Sequence, residues 1–299
     1  MTAMQISTST LYESATRRMT ALQSRANELM TQNATGKKLL KPSDDAAASA
    51  QVAQLNRADA DAAVYKSNLS LAKTVLQQVD TTLGAIGSQL QSAIELATKA
   101  ANGTLNNYDR SVIGDQLSAI RDQLVTLGNT RDVRGQPLFG TVDGTDPVRN
   151  VNGSYSYTEP KTSAVPIDRD QTVEITVGAE RVFKSGGNDT FSVLNNLITA
   201  LKTPGGSSAD IRNSIDQLNT ANDNVGAVQA SVGARGTRVE LQQTMLETAS
   251  TDRDALRSNV EDADITTNIA QLQQTMTVLQ ATQASFTKLS GLSLFDYLK

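Results

Sequence analysis

The sequence predicts a mainly α protein. It should be a long antiparallel helical bundle, a coiled-coil rod built from both chain ends, carrying a small α+β, strand-rich inserted domain. Three observations predict this. Apolar residues recur in alternating steps of three and four over long stretches toward both ends of the chain. Between residues 140 and 206 the period changes to two, among prolines and glycines. The composition suits thin cores: 38% of the 299 residues are hydrophobic but only 4% are aromatic, too few large rings for a deep globular centre.

The first helical seam is Tyr12, Ala15, Met19, Leu22, Ala26 and Leu29. The second and longest runs from Leu55 through Tyr65, Leu69, Leu76, Leu83 and Leu90 to Ala100 without a broken step. It is rich in Ala, so partner helices can approach closely. Gly84 and Gly87 interrupt its propensity, at a cost of about 1 kcal/mol each, and mark a bend or a tight contact. Gly103 suits the end of this helix and Asp109 the start of the next, which follows Ile113, Leu117, Ile120, Leu124 and Leu127 and stops at Gly128 and Asn129. A fourth seam follows Val225, Val228, Val232, Val239, Leu246, Ala249, Leu256 and Val260, with Arg235, Gln242 and Arg253 as polar interruptions. The register resumes at Ile265, Ile269, Leu272, Met276, Leu279 and Phe286.

In the middle, Tyr155 and Tyr157 share one face of a strand, and Val173, Ile175 and Val177 share one face of another. A short helix then starts near Asp189 or Thr190 and ends before Gly205. Helices flank this module on both sides, so it is an insertion whose ends lie close together. The expected organisation is terminal helical coiled-coil arms at 1–43 and 256–299, a helical rod at 44–139 and 207–255, and the β-rich inserted domain at 140–206.

The residue inventory excludes much chemistry. No Cys is present, which removes disulfides and thiolate metal sites, and no His, which removes the commonest general base. An enzyme housed in the insertion would need a carboxylate or Ser–Lys site, and no convergent set is visible, so neither an enzyme nor a cofactor is expected. The net charge is −4 with no long run of one sign. The patch "TGKKLLK" reads as a solvated turn, and no nucleic-acid partner is expected. The start lacks a basic stretch followed by an apolar run, and no stretch is long enough to span a membrane. In "KPSDDAAASA", Pro42 disfavours helix at Lys41, Ser43 or Asp44 can cap the following helix, and Asp45 suits its first turn. The carboxylates of "VEDAD" lack EF-hand spacing and read as caps or intersubunit contacts rather than a metal site.

Two terminal helices paired alone bury little apolar area against their ordering cost. The terminal seams are therefore expected to pack against neighbouring copies. The candidate packing residues are Tyr12, Met19, Leu22, Leu29, Ile265, Ile269, Leu272, Met276, Leu279 and Phe286. Leu294 and Phe295 of the apolar tail join them, and Asp44 and Asp45 are candidates for contact with a neighbouring subunit.

Several stretches carry a resemblance. "MQISTSTLYESATRRM", "TGKKLLKPSDDAAASA", "GAVQASVGARGTRVE" and "SNVEDADITTNIAQLQ" resemble the terminal regions of the flagellin family. The ending "GLSLFDYL" is similar to that of its hook–filament junction branch and differs from flagellins. The resemblance covers both terminal regions and leaves the insertion out. It implies a structural subunit of the bacterial flagellum that forms a ring at the hook–filament junction and acts as a mechanical adaptor. The implied partners are further copies of itself, the adjoining hook-associated junction protein, flagellin, and an export chaperone on the C-terminal helix. It also implies export through the flagellum's own channel, which overrides the cytosolic location that the start alone suggests. The alternatives are flagellin itself, and a coiled-coil adhesin or sensor module.

Overall fold

A computed structural model describes residues 8–102, 105–141, 143–205 and 207–296, with side chains up to Lys288 at the C-terminal end. The mainly α class with a small strand-bearing insertion is what the structure has. In order, the elements are α1 (Thr8–Thr35), α2 (Ala46–Ala100) and α3 (Asn107–Gly128). The insertion follows with β1 (Val148–Val151), β2 (Ser154–Tyr157), β3 (Ala164–Asp168), β4 (Gln171–Glu174), α4 (Ala179–Phe183), β5 (Lys184–Ser185), β6 (Asn188–Asp189) and α5 (Thr190–Lys202). The long helices α6 (Ser208–Glu261) and α7 (Ile265–Asp296) complete the chain. The chain divides into two compact units, Met1–Ala60 with Ala249–Lys299 and Asp61–Thr248.

The unit of residues 61–248 holds the main core. Along α2 the expected seam is fully buried from Leu69 through Ala72, Leu76, Val79, Leu83, Ile86 and Leu90 to Ala100. It meets Val225, Val228, Val232 and Val239 of α6 in the same core. The two helices run antiparallel: Lys73 pairs with Glu240 at 3.0 Å, while a Cβ at Gly84 would lie 3.7 Å from Gln229 Nε2. That is ordinary van der Waals distance, and Gly87 stands at the same distance from Asn222 Oδ1. Neither glycine answers a tight contact, and α2 continues unbroken through both.

Asn106, and not Asp109, opens α3. Its side-chain oxygen accepts from the Asp109 amide, which leaves Asp109 in the first turn where the helix dipole favours its charge. Gly103 lies outside the described residues. At the far end, Asn129 closes α3 as the sequence suggests, and its amide clamps β1 through two bonds with Val148.

The strands form three antiparallel hairpins, β1–β2, β3–β4 and β5–β6. Asn152 and Gly153 both take positive φ at the first turn, which matches the twist of a two-residue hairpin. Tyr155 and Tyr157 do share a face: Tyr155 stacks on Phe191 at 4.6 Å and Tyr157 stacks near Phe183. Asp189 caps α5 by accepting from Ser192 N and also accepts the Tyr157 hydroxyl. Burial, then the Asp189 bond and charge, push the Tyr157 pKa well above its ordinary value. The β3–β4 hairpin is held on α2 and α6 by Asn68, Arg235, Arg238 and Gln242, whose donors reach Pro166 O, Glu174 O, Gln171 Oε1 and Asp168 Oδ2. Two of the polar interruptions in the α6 seam are thus its grips on the hairpin.

Candidate assembly surface

The unit of residues 1–60 and 249–299 is built on the pairing of α1 with α7. The seam follows Tyr12, Met19, Leu22, Ala26, Leu29 and Gln32 on α1. Tyr12 meets Phe286 edge-on with ring centroids 5.3 Å apart. Leu29 is 0% and Leu279 6% exposed, while Leu272 is half-buried. Arg25 reaches Gln271 Oε1 at 3.3 Å, which fixes the pairing as antiparallel.

The candidate residues of the C-terminal helix therefore fall into two groups. At about 100° per residue, Leu279 and Phe286 lie with Asn268 and Thr275 on the stripe that faces α1. Ile265, Ile269 and Met276 lie within roughly 40° of one another on a neighbouring stripe, with Leu272 between the two. Among the described residues nothing covers that second stripe: Ile265, Ile269 and Met276 are 39%, 45% and 39% exposed. Leu294 and Phe295 fall where the side chains lie outside the described residues.

No Asp, Glu, Lys or Arg occurs between Asp264 and Lys288. The helix is a 23-residue run of Ile, Leu, Met, Val, Ala, Phe, Thr, Gln, Asn and Ser, much of it exposed. A water-facing helix ordinarily carries charge on its outer side. Covering Gln and Thr costs far less than covering an ion. The stripe of Ile265, Ile269 and Met276 thus sits on a helix whose surroundings suit close packing.

The turn motif and the acidic motif are joined. After α1, Gly36 takes φ +70° and the chain pairs with the α6–α7 connector. Lys38 N donates to Glu261 O at 2.7 Å, and Ala263 N donates to Gly36 O at 2.9 Å. Lys37 Nζ meets the Glu261 carboxylate at 2.8 Å, and Lys38 Nζ donates to Asn259 O. Asp264 accepts from Thr267 N and Oγ1, and these bonds hold its pKa below its ordinary value. It caps α7, as the reading of "VEDAD" foresaw.

In the aspartate pair, Asp45 is the cap of α2, accepting from Ala48 N, and Asp44 closes the loop before it by accepting from Leu40 N and Lys41 N. The cap sits one residue later than Asp44 and two later than Ser43. Both aspartates are exposed, which leaves them open to a neighbour.

Arg253, the third polar interruption, pairs with Asp59 of α2 at 2.6 Å, and Arg257 binds the second oxygen of the same carboxylate. Sequence reasoning missed this cluster. Its only signal was Arg253 standing where an apolar residue belonged, and Asp59 lies beside Ala58 rather than on the apolar positions.

An antiparallel α1–α7 pair, long α2 and α6, and an insertion between α3 and α6 define a helical protein of the flagellin type. The family model for the bacterial flagellin N-terminal helical region matches residues 6–143, and that for the C-terminal helical region matches residues 215–298. The chain belongs to the bacterial flagellin family. It is 27% identical over 318 residues to flagellar hook-associated protein 3 of Escherichia coli (strain K12), covering 99% of this chain and 100% of the relative. A flagellin of Listeria innocua serovar 6a is 24% identical over 250 residues, covering 82% of this chain and 83% of the relative. A structure from Vibrio parahaemolyticus assigned as a flagellar hook-associated protein superposes with a TM-score of 0.69 at 23% identity, covering 73% of this chain and all of the other.

Proposed function

We propose that this chain is a structural subunit of the bacterial flagellum, assembled as a ring of copies at the hook–filament junction. It works by packing and turns over no substrate. The observation that carries this reading is the uncharged helix between Asp264 and Lys288, with Ile265, Ile269 and Met276 uncovered on one stripe. About 25 cal/mol per Å2 of apolar surface is gained when such a stripe is covered, with no ion to desolvate. In a ring, the stripe of one copy rests against the terminal helices of the next. The same ring meets the adjoining hook-associated protein on one side and flagellin on the other, and so adapts one segment to the next. Before assembly, an export chaperone covers the C-terminal helix, and the chain leaves through the flagellum's own channel. The match to a hook-associated relative, at 27% identity over 99% of the chain, against flagellins at 22–24% over 82–90%, favours the junction over the filament.

The test is Ile269→Glu with Met276→Glu in cells that lack the natural chain. The variant should fold, because both residues are outside the α1–α7 seam. Electron microscopy should show hooks without filaments and flagellin lost to the medium. Normal filaments on this variant would sink the packing surface. Normal filaments in cells lacking the chain altogether would sink the junction role. Purified protein that polymerises alone into long filaments would favour the flagellin reading.

A further inference from the structure

The seam between α1 and α7 is apolar at Leu22, Ala26 and Leu29 and then meets one amide, Gln32, which is 8% exposed. Its two ends are used in different directions. Oε1 accepts from Asn268 Nδ2 of α7 at 3.1 Å, and Nε2 donates to Lys38 O of the connector at 3.2 Å. Nε2 also lies 3.3 Å from Glu28 Oε1 on its own helix. Lys38 is the residue whose amide donates to Glu261 O, so Gln32 joins α1, α7 and the paired connectors at one point.

We propose that Gln32 is a register latch: it fixes how far α7 can slide along α1, and so fixes where the stripe of Ile265, Ile269 and Met276 is presented. The need for such a device is physical. The apolar part of the seam repeats every three or four residues, and much of α7 is uncharged Gln, Thr and Ala. A slip of seven residues, two turns and about 10 Å, would carry Leu272, Leu279 and Phe286 onto one another's places against α1. A single buried polar residue breaks that degeneracy, because any other register takes Asn268 away from its Oε1 and leaves a buried acceptor without that bond. Gln32 serves this purpose because its partners lie on two different elements. Asn268 sets the helix, and Lys38 ties that setting to the Lys37–Asp262 bridge. The proposal concerns the free chain, and holds or fails independently of what the exposed stripe binds.

The chain has no cysteine, so two spin labels can be placed at Arg25 and Gln271, whose side chains meet across the pair, without removing any native residue of that type. Full-length protein should give one narrow distance by pulsed electron paramagnetic resonance. In Gln32→Leu, which keeps the site filled and apolar, a second population displaced by about 10 Å, or a clear broadening, is expected. Asn268→Leu, at a half-exposed position that tolerates the change, should do the same. In unlabelled Gln32→Leu, a disulfide made by Lys37→Cys with Asp262→Cys should restore the parent amide exchange of α1 near Leu29. Amide exchange in α1 near Leu29 should quicken by about tenfold in each leucine variant. An unchanged, narrow distance in both leucine variants would overturn the latch. So would loss of α1 helix in both, which would show that Gln32 is needed for folding and not for register.

Discussion

Replacing Asp59 by Ala should loosen the α2 and α6 segments of the terminal unit more than any exposed charge change could. One carboxylate serves two guanidiniums: Oδ1 takes Arg253 Nε and Oδ2 takes Arg257 Nη2. The three side chains are only 16%, 26% and 29% exposed for Arg253, Arg257 and Asp59. Arg253 Nη2 and Arg257 Nε are already buried without a hydrogen-bond partner, so neither cation has spare bonding to fall back on. Removing the shared anion leaves Arg257 with Asp254, which is 64% exposed, and leaves Arg253 with no carboxylate among the described residues. A fully buried broken pair costs about 3–5 kcal/mol, and an exposed one about 0.2–1 kcal/mol. Partial exposure places this site between them, at roughly 2–3 kcal/mol. Native-state amide exchange of peptides from residues 46–60 and 249–261 reads this directly, as roughly 30- to 150-fold faster exchange. Replacing both arginines by Leu in the Asp59→Ala background should recover most of the loss, because no buried cation then lacks its counterion. Exchange within twofold of the parent in Asp59→Ala would refute the reasoning.

Other outcomes follow from the same geometry. Gly140→Ala should destabilise the unit of residues 61–248 by at least about 2–3 kcal/mol, because its Cβ would lie 2.4 Å from Lys161 O; thermal denaturation checks this. Gly233→Ala, where a Cβ meets nothing within 4 Å on a helix, should instead stabilise it by up to about 1 kcal/mol. Asp264 and Asp132 both have pKa values held below the ordinary 3.8, Asp264 chiefly by Thr267, and Asp132 by Gln136 and Arg134 bonds that outweigh the upward push of burial. Their contributions are complete above the unfolded carboxylate range and are lost as pH falls below it through the folded values. Acid titration followed by amide NMR should therefore show the α7 start and the 130–137 loop loosening only below about pH 4, and Asp264→Asn should blunt the first effect. Protection in α1 should decay from Gln32 outward toward Tyr12, since Ala26 and Leu29 are the fully buried apolar residues of α1 among those described. Uniform protection along α1 would contradict it.

The periodic seams were legible because helical packing writes itself into sequence at fixed spacing. From Leu69 to Ala100 every expected position is buried. The three polar interruptions of α6 were visible as flaws, but their purpose was not. Arg235 and Gln242 answer to a hairpin more than 60 residues away, and Arg253 to an aspartate 194 residues away, which no local pattern encodes. Caps were legible to within a few residues, since Asn106, Asp45 and their neighbours are all competent and only backbone geometry chooses between them. The terminal candidates were read as one surface. A spacing of three and four fits two adjacent stripes of α7 equally well, so the division between Leu279 with Phe286 and Ile265 with Met276 needed the partner helix in place. The pairing of Gly36–Lys38 with Glu261–Ala263 was hidden for a similar reason: two backbone bonds between distant connectors leave no trace in side-chain identity.

The want of ions along residues 265–287 of α7 has an environmental meaning. Salt weakens attraction between charges over a distance of about 10 Å at 0.1 M, and protons abolish it at carboxylates. A joint made from isoleucine, methionine, glutamine and threonine offers neither agent a foothold. Whatever sits against residues 265–287 will grip much the same in fresh water as in brine, and in weak acid as at neutrality.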